Sequence, residues 1–371
     1  MKKTISTFAL TCATAFLAAC SSPKEEGFSI DFNLTDVPDC NLFVAENVPG
    51  TSGWFIDTLE VKKGKAHYEG KIDFPRLTTF HFISETNVYG QVEVFLDNSH
   101  GIQVNGKTTG DAIITGCKTQ DEYQLIREKL EEAVRQISKS KQDISKVYDE
   151  KAGKEIIDSL ENVQGQKEAA MLDQLVKLPG YSKSAVTPYF VYNYFMDSPE
   201  LLEKALTNVD AALDNNAYVK EEKAELARHK SSAIGQPAYN FCLKDINGKE
   251  YKLSDFKGKY VLIEFSASWC GWCKKEIPFL KTVYKENKEK NFVLLTINMD
   301  DNQKKWEDDV KEMNLPWPVI SDLKAFKGEV AQAFNVHGIP LIYLINPEGK
   351  IEMRGLRGEE MIRTLRETIK K

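Results

Sequence analysis

Apolar and polar positions along the chain change period twice. Up to residue 117 they form short alternating runs, among them FSIDFNL, TTFHFIS and VEVFLD, separated by the turn-rich stretches PGTSG, KKGK and DNSHG. Alternation with period two over such short runs is the pattern of half-buried strands, and their spacing predicts a small β-sandwich or barrel. From residue 119 the period becomes helical. Tyr123, Ile126, Leu130, Val134, Ile137 and Ile144 recur at steps of three, four or seven, and similar stripes run through Ile156, Leu160, Val163, Met171, Leu175 and Leu178. Pro179-Gly180 closes that run, and Ser198-Pro199-Glu200 opens another helix with a cap and a proline. PYFVYNYF, residues 188–195, is aromatic at nearly every step and reads as core packing.

Beyond residue 232 strands and helices alternate. FCLKDINGKEYKL holds an Asn247-Gly248 turn between two alternating runs, which predicts a hairpin. KYVLIEFSA then reads as a buried strand, followed by a helix to about Lys290, the strand NFVLLTINM and the helix NQKKWEDDVKEM. PLIYLINPEGKIEMRG gives two strands joined by a turn, and EEMIRTLRETIK closes the chain as a helix. This order predicts a mixed sheet with helices on both faces. The expected organisation is a leader over 1–19, a tether over 20–27, a β-rich domain over 28–118, a helical region over 119–232 and an α/β domain over 233–371. The fold class is multi-domain: an all-β sandwich-like unit, a helical middle and an α/β unit.

The first twenty residues, MKKTISTFALTCATAFLAAC, change the picture of where this chain works. Lys2 and Lys3 precede an apolar run from Ile5 to Ala19, then small residues and Cys20. That is the layout of a secretory leader, and the run falls short of the about 20 apolar residues that a membrane span needs. Leu17-Ala18-Ala19-Cys20 resembles the lipobox of bacterial lipoproteins, whose cysteine carries the lipid. Cys20 is therefore the candidate lipidation site, on the periplasmic side of an inner or outer bacterial membrane. Ser21 permits outer-membrane sorting, and Glu25-Glu26 leaves surface export open. Removing the leader takes the formal net charge from −6 to −8, and with no basic face standing out no nucleic-acid partner is expected. Cys40, Cys117, Cys242, Cys270 and Cys273 remain in an oxidising compartment, where Cys40 could pair with Cys117.

The informative stretch is EFSASWCGWCKKEIP, residues 264–278. Its CxxC follows a strand and opens a helix, whose free N–H groups and dipole favour a negative charge and lower a thiol pKa. One helical turn brings Cys273 within reach of a mixed disulfide on Cys270, so Cys270 is the expected nucleophile and Cys273 the resolving thiol. A zinc site would need two further ligands at suitable spacing. No second CxxC or nearby histidine pair supplies them, so no metal or other cofactor is expected. The PxxxTxxC arrangement of peroxidatic cysteines is absent, because Ile263 and Ala267 occupy its proline and threonine positions.

Together with NLPWPVISD, FNVHGIPLIYLINPEGKI and the final helix, this stretch resembles the thioredoxins, specifically the extracytoplasmic TlpA/ResA type, over about 140 residues from Gly235. The resemblance implies a thioredoxin fold. It also implies that Pro340 is the cis-proline beside the dithiol, with Gly338 and Ile339 offering backbone to an extended substrate. Trp269 and Trp272 would shape the substrate surface, and Pro278 would kink the helix. Glu264 takes the buried acid position below the dithiol and Glu276 the acid three residues after the second cysteine, both candidate proton carriers. His337 stands just before the GIP turn as a candidate neighbour of the site. Trp272 stands where cytoplasmic thioredoxins have proline, so their potential does not carry over. FIDTLEVKKGKAHYEGKIDFPRL and ITGCKTQDEYQLI resemble the β domain that precedes thioredoxin modules in lipoproteins of certain Gram-negative bacteria, for which no chemistry is implied.

The expected activity is thiol–disulfide exchange on protein substrates by a lipid-anchored extracytoplasmic enzyme. The resemblance favours a reductase of protein disulfides or of apocytochrome thiols, as in cytochrome c biogenesis, fed by a membrane electron donor. A disulfide-forming oxidase stands against it, as does a binding or assembly module in which the dithiol is secondary.

Overall fold

The computed structural model describes residues 27–46, 48–49, 56–108, 110, 112–149 and 154–369. The leader, Cys20, all of the tether but Gly27 and most of the PGTSG stretch lie outside the described residues. Contacts divide the chain into two compact units, one ending at Glu122 and one that joins 123–371 with the short segment 47–52.

In the first unit eight strands are described: β1 (Phe28–Leu34), β2 (Cys40–Glu46), β3 (Asp57–Val61), β4 (Lys65–Gly70), β5 (Arg76–Ile83), β6 (Val88–Leu96), β7 (Ile102–Gly106) and β8 (Ile113–Thr115). They form two four-stranded sheets, ordered β4-β1-β7-β8 and β3-β2-β5-β6. Alternation puts Phe28, Ile30, Phe32 and Leu34 of β1 inside, in one apolar cluster with Leu42, Val44, Phe80 and Phe82 of the other sheet. This is the expected sandwich. Gly64 in the KKGK turn has φ of 72°, and a Cβ there would sit 1.8 Å from the Leu34 carbonyl oxygen, so only glycine closes the turn. His67 pairs with Asp31 across the β1–β4 ladder at 2.7 Å, an ordinary structural role. Cys40 and Cys117 do not pair: both are free thiols, and Cys117 donates to the Phe95 carbonyl at 3.3 Å.

Helices follow: α1 (Lys118–Asp149), whose start up to Glu122 belongs to the first unit, and, in the second unit, α2 (Lys154–Leu175), α3 (Thr187–Tyr194), α4 (Pro199–Leu206) and α5 (Ala217–Ser231). Tyr123, Ile126, Leu130 and Ile137 are buried along α1 as their spacing requires, whereas Ile156 and Val163 of α2 face solvent. Ser198 caps α4 through the Leu201 N–H, with Pro199 in its first turn. The aromatic run packs inward, with Tyr189 and Phe190 against Tyr123 and Phe195 fully buried.

A seven-stranded mixed sheet follows, ordered β10-β9-β13-β12-β11-β14-β15. Its elements in chain order are β9 (Cys242–Asp245), β10 (Glu250–Lys252), β11 (Tyr260–Ser266), α6 (Gly271–Asn287), β12 (Phe292–Asn298), α7 (Gln303–Met313), β13 (Val319–Ser321), α8 (Glu329–Ala333), β14 (Leu341–Ile345), β15 (Ile351–Arg354) and α9 (Gly358–Thr368). The hairpin and the alternating order stand as expected; β13, three residues long, has no signature of its own. Val261, Ile263 and Phe265 of β11 face one apolar cluster. Leu262 faces another, with Leu280 and Val283 of α6 and Met361 and Leu365 of α9.

Contacts do not divide the helical region from the α/β domain. Within the helical region Glu222 of α5 is fully buried, and neither carboxylate oxygen has a hydrogen-bond partner. Burial holds its carboxyl well above the ordinary range. The neutral form is favoured, so the cost of ionising the group is absent below pH 4.5 and grows as pH rises toward the folded-state pKa. Glu222→Met is expected to raise unfolding free energy by about 1–3 kcal/mol at pH 8, with the gain fading at pH 4, as read by urea denaturation at the two pH values.

Candidate functional site

β11 is an interior strand of the sheet, parallel to β12 on one side and antiparallel to β14 on the other. Its register pairs Phe265 with Leu341, so the end of β11 lies beside the start of β14. Cys270 follows four residues beyond β11, and Pro340 immediately precedes β14. The strand pairing thereby joins two segments some seventy residues apart. The Ile339–Pro340 peptide is cis, as expected, and Pro340 is buried.

The loop between β11 and α6 is braced from the segment just after β12. Asp300, itself buried, accepts from the Ser268 hydroxyl at 2.7 Å and the Ser268 N–H at 3.1 Å. Cys270 then caps α6, its Sγ accepting the Cys273 N–H at 3.1 Å. Cys270 and Cys273 form a disulfide with Cα atoms 5.3 Å apart. Both are largely buried, Cys270 5% exposed and Cys273 1%. Trp269 and Trp272 beside them are 58% and 49% exposed, a large solvent share for tryptophan outside an interaction surface. Lys275 lies over the Trp272 ring at 3.8 Å. Gly338 is exposed, and a Cβ there would meet nothing within 4 Å, which leaves the approach to the cis-proline open.

Glu264 lies on β11, opposite Thr296 of β12 and Ile342 of β14. It is 1% exposed. Its Oε2 accepts from the Thr296 hydroxyl at 2.8 Å, which in turn accepts from Trp317 Nε1 at 3.0 Å, while Oε1 has no hydrogen-bond partner. Burial pushes the Glu264 carboxyl up from 4.5 to about 7. The Thr296 hydrogen bond and the Arg357 charge oppose that rise, and the Glu276 and Asp309 charges assist it. Glu276 is half-buried and has a different attachment: its Oε2 accepts the Gly358 N–H at 3.0 Å and so ties α6 to the start of α9.

Three contributors have no local signature in the sequence. Arg357 donates to the Pro340 carbonyl, and Arg354 donates to the Asn335 carbonyl at 3.1 Å. Glu225 of α5 is 1% exposed and accepts from His337 Nε2 and Asn335 Nδ2, each at 2.9 Å. His337 is thus exposed but tied to the helical region. Asp300 could have been suspected as an acid just after the strand that neighbours the dithiol strand. The described residues contain no group of three or more candidate metal ligands.

A carboxyl raised from 4.5 to about 7 stabilises the fold below pH 4.5, and that contribution is lost as pH rises through 7. The difference in unfolding free energy between wild type and Glu264→Gln should therefore change by about 3 kcal/mol between pH 4 and pH 8. A pH-independent difference would place the titrating charge elsewhere.

The AhpC/TSA family profile matches residues 234–354, and the profile named Domain of unknown function (DUF4369) matches residues 28–123. The thiol-disulfide oxidoreductase ResA of Bacillus thuringiensis subsp. konkukian is 34% identical over 154 residues, 42% of this chain and 82% of that protein. ResA of Bacillus subtilis is 35% identical over 149 residues, 40% of this chain and 82% of that protein. The crystal structure of the thioredoxin domain of a thiol-disulfide oxidoreductase from Bacteroides vulgatus aligns with 33% identity and a TM-score of 0.36, covering 37% of this chain and 99% of that one. With its paired cysteines at the head of α6 beside a cis-proline, the chain belongs to the ResA-like thiol-disulfide oxidoreductases, enzymes of thioredoxin fold.

Proposed function

We propose that the chain is a membrane-anchored extracytoplasmic reductase of protein disulfides that works through the Cys270–Cys273 dithiol. The observation that carries this reading is the disulfide itself, capping a helix and set beside the Ile339–Pro340 cis peptide. In the reduced enzyme the Cys270 thiolate attacks one sulfur of a substrate disulfide. An S–S bond forms to Cys270, and the other substrate sulfur leaves as a thiolate. Cys273 then attacks Cys270 Sγ, closing the enzyme disulfide and releasing the second substrate thiol. Two electrons pass to the substrate. Cys270 takes the first role because it is the more exposed cysteine and its sulfur already accepts a helix N–H.

Glu264 is the carboxyl suited to take the proton that Cys273 loses, because a group titrating at about 7 gives and takes protons near neutrality. Glu276 acts through its tie to α9 and through its charge on Glu264. Trp269, Trp272, Gly338 and Ile339 form the surface on which the substrate backbone lies.

The leader layout and Cys20 support a lipid anchor. Among the described residues no helix is long and apolar enough to cross a membrane. A reductase needs a source of electrons, and in this proposal a membrane electron donor supplies them. The reductase direction and apocytochrome thiols as substrates rest on the likeness to ResA-type proteins.

A Cys273→Ala chain cannot resolve the first intermediate and should accumulate substrates joined to Cys270, identifiable by mass spectrometry of non-reduced complexes. A Cys270→Ala chain should accumulate none. Adducts on Cys273 in the Cys270→Ala chain, with none on Cys270 in its counterpart, would reverse the attack order.

A further inference from the structure

Next to the cis-proline lies a groove of about 420 Å³ with walls of two origins. One wall is the His337–Leu341 loop with Arg354 and Arg357; the other is Asp197 and His229 of the helical region. The DUF4369 match ends at residue 123 and the AhpC/TSA match begins at 234, so the second wall comes from a segment that neither covers.

The two walls are locked together. Glu225 receives His337 and Asn335 from the loop side at 2.9 Å each. From its own helix it receives Arg228 at 2.6 Å and His229 at 3.1 Å. Burial alone would raise its carboxyl, but hydrogen bonds from His229, His337, Asn335 and Arg228 outweigh burial and hold it well below the carboxylate range. His229 also contacts the Met196 carbonyl at 2.8 Å, one residue before Asp197. A buried carboxylate with this many donors fixes the geometry of the loop and of the wall facing it.

Along the groove two arginines stand against one aspartate, while Glu225 behind it is already engaged by its four donors. Arg354 and Arg357 are exposed at its edge, each held to a loop carbonyl, and Asp197 is the one acid among the lining residues. We propose that this groove docks an acidic stretch of the polypeptide whose disulfide reaches Cys270, with the helical region acting as a specificity element. The proposal rests on thiol–disulfide exchange at Cys270 and adds the class of substrate. An extended chain lying along Gly338 and Ile339 continues into the groove, where Glu or Asp side chains meet the two guanidinium groups. The helical region therefore selects substrates while the dithiol performs the exchange.

Two disulfide peptides that differ only in Glu or Lys residues flanking the cystine test this directly, using the reduced full chain and following kcat/KM. At low ionic strength the acidic peptide should be favoured about fivefold or more, with the preference collapsing in 0.5 M salt, about a 4 Å screening length. Arg354→Gln should bring the ratio toward one. Asp197→Lys, a substitution at an exposed position, should raise it. Equal rates for both peptides, or a ratio indifferent to Asp197→Lys, overturn the docking site while leaving the exchange chemistry intact. Failure to reduce either peptide overturns the exchange reading and the docking site with it.

Discussion

The pairing of β11 with β14 is the constraint on which the site depends. Phe265 opposite Leu341 is one rung of a ladder, yet it sets the dithiol loop beside the cis-proline. A one-residue slip would turn the side chains of β11 to the opposite faces and expel Leu262 from the cluster it shares with α6 and α9. Burial on both faces of the strand makes such a slip costly. The hydrophobic core therefore fixes the relation between the cysteines and the backbone around the cis-proline.

The same strand carries the charge chemistry. Period two puts Glu264 on the face of Leu262, where water is excluded and burial raises its carboxyl toward neutrality. Thr296 and Trp317 supply a single hydrogen-bond chain, enough to orient one oxygen and too little to hold the charge fully. Glu225 presents the opposite balance. It is as buried as Glu264 but surrounded by donors, so it stays ionised and ties the helical region to the loop before the cis-proline. Two buried glutamates thus take different roles because of the number of donors that face them.

Features confined to one segment were legible in the sequence. The CxxC after a strand, the Asn247-Gly248 hairpin, the Ser198-Pro199 cap and the alternating strands of the sandwich each declare themselves within a few residues. Three residues such as Val319–Ser321 are too short to show a period, so β13 becomes a strand only through its neighbours β12 and β9. Ile156 and Val163 follow the helical spacing yet lie on an exposed face, because spacing defines a stripe and not what covers it. Glu225 looks like any acid of a charged helix; its partners lie over a hundred residues away, and only the fold assembles them. Glu276 is half legible, since its position matches a proton carrier while its carboxylate is engaged with the Gly358 N–H.

In the proposed reductase, Cys270 and Cys273 form a reversible couple poised to donate electrons. Equilibrating the chain in thiol/disulfide buffers of defined potential, followed by alkylation and mass measurement, tests it most directly. Such a couple should show a single two-electron transition confined to Cys270 and Cys273, at a potential below about −200 mV. A disulfide that fails to reduce, or a midpoint close to the about −120 mV of strong oxidants, would contradict it.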